Sequence, residues 1–184
     1  MLHEIEDIEQ EKRRLTHRPP VQDAPPILGA FDVLTNSPVE KYSARVRSVL
    51  SAALDLAVSE SFDGDDLPVD AVPEWFAAAS RGSSATIPEF AQHGMDRYAA
   101  AIKGGAWELQ EWLFQFDPDS EFRGWAWWDL TRTGEGRVRI WVDTWGESFF
   151  ACDELRWLAY TAGADEVGGP ILVRTADWVS AVAP

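Results

Sequence analysis

The stretch that decides the fold is Trp125–Asp143, which reads WAWWDLTRTGEGRVRIWVD. Two β-prone segments flank the glycines of Gly134-Glu135-Gly136, and residues 137–143 alternate between polar and apolar side chains. Glycines in a short loop between such segments favour a β-hairpin, and the alternation predicts a strand with one buried face. We therefore predict a Trp-rich hairpin as the basis of a small antiparallel sheet.

The length of the hairpin loop determines which tryptophans share a face. A three-residue loop, Gly134–Gly136, pairs Thr133 with Arg137, whereas a two-residue loop shifts the register by one and moves Trp127 to the other face. Under the three-residue loop, Trp128 and Leu130 lie on the face of Val138, Ile140 and Val142, and the opposite face carries Trp125, Trp127, Asp129, Arg139, Trp141 and Asp143.

That opposite face is the predicted partner-binding surface. Aromatic rings interleaved with Arg and Asp are typical of binding hot spots, and a large exposed apolar patch usually marks an interaction site. The alternative is that the predicted helices pack over this face, with Asp129 and Asp143 accepting hydrogen bonds from buried indoles. The predicted partner-binding residues are Trp125, Trp127, Asp129, Arg139, Trp141, Asp143 and Trp145.

Helical patterns surround the hairpin on both sides. Ser37-Pro38-Val39-Glu40 combines a Ser cap, a first-turn Pro and a Glu three residues after the cap, and the apolar spacing behind it predicts a helix to about Ser59. Shorter helical segments follow up to Phe116, and residues 153–162 predict a further helix ended by Gly163. Residues 171–173 predict a last strand, and Trp178 with the apolar C-terminus is expected to cover an exposed edge. The predicted fold class is α+β: a helical N-terminal subdomain packed on a small antiparallel β-hairpin-based sheet with a following helix.

Residues 1–36 are predicted to be an N-terminal arm that is either flexible or binds a partner. Leu2, Ile5, Ile8 and Leu15 recur at roughly helical spacing, with acidic residues early and basic residues late, which favours a short amphipathic helix. An isolated helix of that length is marginal in water, so the arm either frays or folds onto a partner, including a second copy of the chain. The predicted organisation is the arm at 1–36, a helical subdomain at 37–116 and a Trp-rich hairpin, helix and strand subdomain at 117–184, the last two forming one globular domain.

The charge of the chain restricts its partners. The 184 residues contain 16 Lys+Arg and 31 Asp+Glu, a formal net charge of −15, which repels nucleic acid and an anionic membrane surface. An acidic surface serves solubility, meets a basic protein partner or imitates DNA. The acidic N-terminus lacks the features of a signal peptide and no apolar window is long enough to span a membrane, so we predict a cytoplasmic protein. Three Lys residues among many Ala indicate a GC-rich, bacterial genome.

The sequence offers little chemistry. The single cysteine, Cys152, and three distant histidines, His3, His17 and His93, leave no motif for a metal site or a catalytic triad, so no catalytic residue, metal or cofactor is assigned. Paired carboxylates beside tryptophan resemble a glycoside-processing site in composition, because sugar rings stack on indoles and two carboxyls act as acid and base. Asp143 and Glu147 would fill those two roles.

The function predicted is that of a non-catalytic, acidic protein-binding domain that uses its Trp-rich sheet face. An inhibitor, an immunity-type protein or an assembly component would all fit, and in general layout the chain resembles small bacterial immunity or inhibitor proteins, which are acidic and lack catalytic motifs. The alternatives are a carbohydrate-active acid–base enzyme that uses the paired carboxylates and an acidic DNA mimic that blocks a DNA-binding protein.

Overall fold

The computed structural model describes residues 3–64 and 66–183, so the predictions that involve Leu2 and Pro184 lie partly outside the described residues. The described chain has an antiparallel four-stranded sheet and seven α-helices, which confirms the α+β class. The helices are α1 (Ile5–Arg14), α2 (Val39–Ser59), α3 (Glu74–Ala79), α4 (Glu89–Ala101), α5 (Leu109–Leu113), α6 (Asp153–Thr161) and α7 (Thr175–Val179), and the strands are β1 (Ile27–Thr35), β2 (Ala126–Gly134), β3 (Arg137–Asp143) and β4 (Ala164–Arg174).

The sheet has the order β2-β3-β1-β4, and every neighbouring pair is antiparallel. Strand β1 lies inside the sheet, although the sequence analysis placed its residues in the N-terminal arm. Leu28, Ala30, Phe31 and Val33 are all buried, because both faces of this strand are covered. A strand buried on both faces has no polar–apolar alternation, and the pattern used for the prediction therefore missed it.

The hairpin forms as predicted, but a β-bulge changes its faces. Leu130 lies opposite Ile140, as the three-residue loop predicts, while Gly134 lies opposite Arg137 at the loop. The register shifts again between Trp127 and Asp129, so Trp128 is an extra residue on β2. A bulge of this kind reverses the facing of the residues before it, and Trp127 therefore lies on the side predicted for Trp128.

Each face of the sheet packs against a buried core. The larger core lies between the sheet and the helices and contains Trp125 and Trp127. The smaller core lies on the other face, where Trp128 and Trp141 pack with Trp178 of α7. Because helix α7 closes this second face, the sheet has no open aromatic side.

Helix α1 packs on the domain and covers the edge of β2. Ile8 is buried, and the carboxylate of Glu11 accepts hydrogen bonds from Arg123 at 2.6 and 2.9 Å and from the backbone N–H of Trp127 at 2.6 Å. Nε of Arg14 donates to the carbonyl oxygen of Trp127 at 2.8 Å. These side chains satisfy backbone groups that a further strand would otherwise pair, which is one way proteins protect a sheet edge.

The C-terminal segment covers the other end of the same edge. The N–H of Arg132 donates to the carbonyl oxygen of Val182 at 2.9 Å in an isolated antiparallel bridge. This bridge is one edge contact of the kind predicted for the apolar C-terminus, whereas Trp178 of the same segment packs on a face of the sheet.

Helix α2 ends at Ser59 as predicted, but its predicted capping box is wrong. The residue before the helix is Pro38, and no side chain caps the first turn. The hydroxyl of Ser37 instead accepts a hydrogen bond from Arg45 at 3.0 Å, and Glu40 pairs with Arg132 on β2. Ser37 and Glu40 therefore bind other side chains and do not cap the first turn of the helix. In the part of the chain that the structure describes, no helix combines the length and hydropathy of a membrane span.

Candidate functional site

The four deepest residues of the predicted partner-binding set belong to the interior. Trp125 and Trp127 have no exposed surface, Trp141 is 1% exposed and Asp129 is 4% exposed. The prediction of an open Trp-rich sheet face is therefore wrong for these residues. These residues are buried because α1, the helical cluster and α7 together pack over the two faces of the hairpin. The three come from parts of the sequence that are distant from the hairpin.

Interior acceptors serve most of these indoles. Trp125 Nε1 donates to the Glu154 carboxylate at 2.5 Å, and Trp141 Nε1 donates to the Thr131 hydroxyl at 2.8 Å. Asp129 accepts from an indole as the alternative predicts, although the donor is Trp178, at 2.8 Å. Burial raises the pKa of the Asp129 carboxyl, while the bond from Trp178 opposes that rise.

Arg139 lies half-buried on the sheet and is committed to an ion pair. Its Nε and Nη2 donate to the two carboxylate oxygens of Asp32 at 2.7 and 3.0 Å across the β1–β3 ladder. This hydrogen-bonded pair raises the pKa of the guanidinium, and the group also lies over the Trp141 ring, 5.4 Å from its centroid. The arrangement links β1 to β3 and commits Nε and Nη2 of Arg139 to this ion pair.

The last two predicted residues, Asp143 and Trp145, occupy the turn that leaves β3. Trp145 has a backbone φ of 51°, and its N–H donates to Asp143 Oδ1 at 2.9 Å. The hydroxyl of Thr144 donates to the carbonyl oxygen of Glu147 at 3.0 Å, so the turn is closed by its own hydrogen bonds. Burial raises the pKa of the half-buried Asp143 carboxyl.

His3 connects this turn to the segment that precedes β2. Its backbone N–H donates to the Pro118 carbonyl at 3.1 Å, and its ring Nε2 lies 3.2 Å from the carbonyl oxygen of Arg123. The same ring packs edge-on against Trp145, with centroids 5.1 Å apart. The Trp145 turn and the residues around Arg123 therefore lie side by side.

Two exposed phenylalanines belong to these neighbouring segments, and the sequence analysis missed both. Phe149 is 94% exposed and Phe122 is 60% exposed. The segments touch directly, because a Cβ added to Gly124 would lie 2.8 Å from Phe150 Cβ. We call Phe122, Trp145 and Phe149 the aromatic loop end. The sequence did contain a signal for their exposure, because each Phe directly follows polar and acidic residues typical of a turn. These residues are Gly-Glu-Ser before Phe149 and Asp-Ser-Glu before Phe122.

Acidic side chains border the aromatic loop end. Glu121 and Glu147 are exposed neighbours in its two segments. His3 also lines a cleft of about 370 Å³ with an apolar floor that includes Ile5 and Phe62, and its acidic lining residues are Glu4, Glu60, Asp63, Asp117 and Asp119. This side of the molecule thus combines exposed rings with a negative surface.

The two carboxylates considered for catalysis, Asp143 and Glu147, belong to the turn that leaves β3. Neither carboxylate lines the cleft at His3, and the thiol of Cys152 is buried, which raises its pKa to about 11. His93 pairs with Asp165 at 2.5 Å between α4 and β4. Within residues 3–64 and 66–183, no group of three or more His, Cys, Asp or Glu side chains is placed to hold a metal ion.

Comparison of the chain with protein-family models, curated proteins and solved structures finds no match.

Proposed function

We propose that this protein is a non-catalytic protein-binding domain whose contact surface is the aromatic loop end, and that its partner presents a basic surface. An inhibitor, an immunity-type protein or an assembly component would each act in this way. The proposal keeps Trp145 and Asp143 from the predicted set, adds Phe122 and Phe149, and leaves the buried tryptophans to the core.

The observation that carries the proposal is the exposure of Phe149. Burying a Phe side chain stabilises by about 1.5–3 kcal/mol, and this ring forgoes that contribution in the free chain. The turn that precedes Phe149 is closed by hydrogen bonds at Asp143 and Thr144, so the exposed ring follows a segment with a defined backbone conformation. Aromatic side chains presented in this way are typical anchors of protein interfaces.

The charge of the domain supports a basic partner. The formal net charge is −15, and the carboxylates at and beside the aromatic loop end contribute to it locally. Opposite potentials accelerate encounter and orient the two surfaces, whereas the apolar rings at the centre supply affinity. Binding is therefore expected to weaken as the salt concentration rises, since salt screens the exposed charges.

The test is affinity capture from a lysate of the source organism with three variants of the intact chain. We expect the wild type to retain a basic protein that Phe149→Ala loses, because this substitution removes the exposed anchor. Ile171→Ala, on the exposed part of β4, is the matched control and should retain it. All three should share one melting temperature.

Equal capture by the wild type and Phe149→Ala, repeated with Phe122→Ala, would contradict the proposed surface. Capture of a partner that carries an acidic surface would contradict the proposed charge complementarity. The carbohydrate-active enzyme, the acidic DNA mimic and a homo-oligomer formed through the N-terminal arm stay predictions.

A further inference from the structure

A second cleft, of about 440 Å³, lies at the C-terminal end of α1, whereas His3 precedes the N-terminal end of that helix. Its volume is within the range of small-molecule sites, roughly 300–1,000 Å³. Pro19 and Pro20 form part of its wall together with Trp128. The proposed function does not use this cleft.

The lining of the cleft is basic, in contrast to the chain as a whole. Arg13, Arg14, Arg18 and His17 line it, and the acidic side chain among its lining residues is Asp23. A set of positive side chains in a protein of net charge −15 marks a local reversal of potential. Such a reversal attracts an anionic ligand that the rest of the surface repels.

Two of the arginines are held in position by the fold. Arg14 lies over the Trp128 ring, 4.9 Å from its centroid, while its Nε donates to the carbonyl oxygen of Trp127. The two Nη groups of Arg18 each donate to a carbonyl oxygen of the C-terminal segment at 2.7 Å. Arg13 is exposed at the rim. The cleft thus has pre-positioned charges, which lowers the ordering cost of binding.

Trp128 adds an unsatisfied donor to the lining of the cleft. The residue lines the cleft and is 3% exposed, yet its indole Nε1 has no hydrogen-bond acceptor among the described residues. Trp125, Trp141 and Trp178 each donate to an interior acceptor, whereas Trp127 Nε1, which does not line this cleft, also has none among the described residues. An unsatisfied buried donor destabilises the free protein, so a ligand acceptor that reaches Nε1 would recover that free energy.

The charges next to the cleft restrict the ligand to a low negative charge. Arg18 Nε lies 3.7 Å from the Asp129 carboxylate, and Asp143 acts electrostatically on Arg14. These carboxylates offset part of the positive charge and disfavour a dianion. The planar guanidinium matches a carboxylate in bidentate geometry, and the Trp and Pro side chains suit an apolar body.

We propose that this cleft binds a singly charged carboxylate carried on an aromatic or apolar body. The carboxylate accepts hydrogen bonds from Arg13 and Arg14 and from the indole N–H of Trp128, and the body packs against Pro19 and Pro20.

The test is isothermal titration of the intact protein with benzoate, with benzamide as its neutral analogue and with inorganic phosphate. We expect benzoate to bind at least tenfold more tightly than either of the others. Arg13→Gln and Trp128→Phe should each weaken benzoate binding about tenfold, the effect expected for loss of a charged hydrogen bond. Arg137→Gln removes the same charge from an exposed position on β3 and should leave the affinity unchanged.

A fold-independent readout accompanies the titration. The indole N–H resonance that Trp128→Phe removes from the ¹⁵N–¹H spectrum should be one that benzoate shifts in the wild type. Absence of benzoate binding at millimolar concentration, equal binding of benzamide or phosphate, or unchanged binding by folded Trp128→Phe would each overturn the proposal. None of these outcomes bears on the aromatic loop end, whose test uses different residues and a protein partner.

Discussion

Glu154 has a carboxyl group that folding removes from water. It lies in the first turn of α6 and is 1% exposed. One oxygen accepts the indole N–H of Trp125 at 2.5 Å. Burial raises the pKa of this carboxyl, and hydrogen bonds to its carboxylate oppose the rise without cancelling it.

This raised pKa predicts a pH-dependent stability. Between the ordinary value of 4.5 and the raised value, the folded chain holds a proton that the unfolded chain has released. The free energy of unfolding therefore falls as the pH rises through that window. Glu154→Gln keeps an oxygen acceptor for Trp125 and has no charge to bury, so we expect a smaller fall, measured by urea unfolding from pH 4.5 to pH 8.

Glu111→Gln is the matched control for this prediction. Glu111 is exposed on α5, so its substitution should reproduce the pH profile of the wild type. A Glu154→Gln profile that overlays the wild-type profile would show that the buried carboxyl does not contribute to this pH dependence.

At the level of elements, a buried ion pair attaches α1 to the segment that precedes β2. The side chains of Glu11 and Arg123 are at most 2% exposed, and the Glu11 carboxylate also accepts the backbone N–H of Trp127. Removing one member of a buried pair leaves the other charge without compensation. The sequence analysis found the helical pattern of α1 but had no means to identify Arg123, which lies 112 residues away.

We predict that Glu11→Ala destabilises the protein by about 3–5 kcal/mol, the usual effect of breaking a buried pair. Glu9→Ala, at an exposed position of the same helix, should change the free energy of unfolding by less than about 0.5 kcal/mol. Urea unfolding at one pH measures both values. Equal effects of the two substitutions would mean that the buried pair does not anchor α1.

Helices α4 and α6 approach each other at Gly94. A Cβ added at this position would lie 1.8 Å from the carbonyl oxygen of Tyr160, closer than any real contact. Because this obstacle is backbone, relief requires that the two helices move apart. The close approach gives a reason for glycine inside a helix, where it is otherwise unfavourable.

We predict that Gly94→Ala lowers the free energy of unfolding by about 1–3 kcal/mol, the usual range for overpacking. The melting temperature should fall accordingly. Gly104→Ala is the control, since its Cβ would meet its nearest neighbour at an ordinary 3.6 Å. Calorimetry of both variants measures the difference. An unchanged melting temperature for Gly94→Ala would show that α4 and α6 leave room for a methyl group at this position.

At the level of the whole molecule, the N-terminal residues complete the globular domain. Leu15 is 3% exposed, Arg47 of α2 donates to its carbonyl oxygen, and Arg18 binds the C-terminal segment. Strand β1 of the same predicted arm lies between β3 and β4. The packing of the described part of residues 1–36 thus differs from that of a detached arm, and partner binding by this segment stays a prediction.

We predict that removal of residues 1–18 abolishes cooperative unfolding or lowers the free energy of unfolding more than Glu11→Ala does. The truncation removes apolar core and opens the backbone of β2, so the shortened chain should also self-associate. Thermal unfolding and size-exclusion chromatography measure these effects. A synthetic peptide of residues 1–18 should restore the elution volume of the wild type, whereas wild-type stability without the peptide would identify a separable arm.

The sequence by itself determined the features that depend on neighbouring residues. Helical periodicity located α2 and its end at Ser59, and the alternation of residues 137–143 with the loop glycines located the hairpin. The helix after the hairpin and the acidic charge also followed from composition and local pattern. These properties were accessible because each depends on side chains a few positions apart in the chain.

Only the tertiary structure decided which aromatic side chains are buried. The burial of Trp141 depends on Trp178, and the burial of Trp127 depends on the bulge at Trp128 and on α1. These arrangements require contacts between distant segments. Phe149 is exposed for the same reason, because no described segment packs over its ring. Burial is a property of the assembled layers, whereas periodicity describes only the side that an element presents.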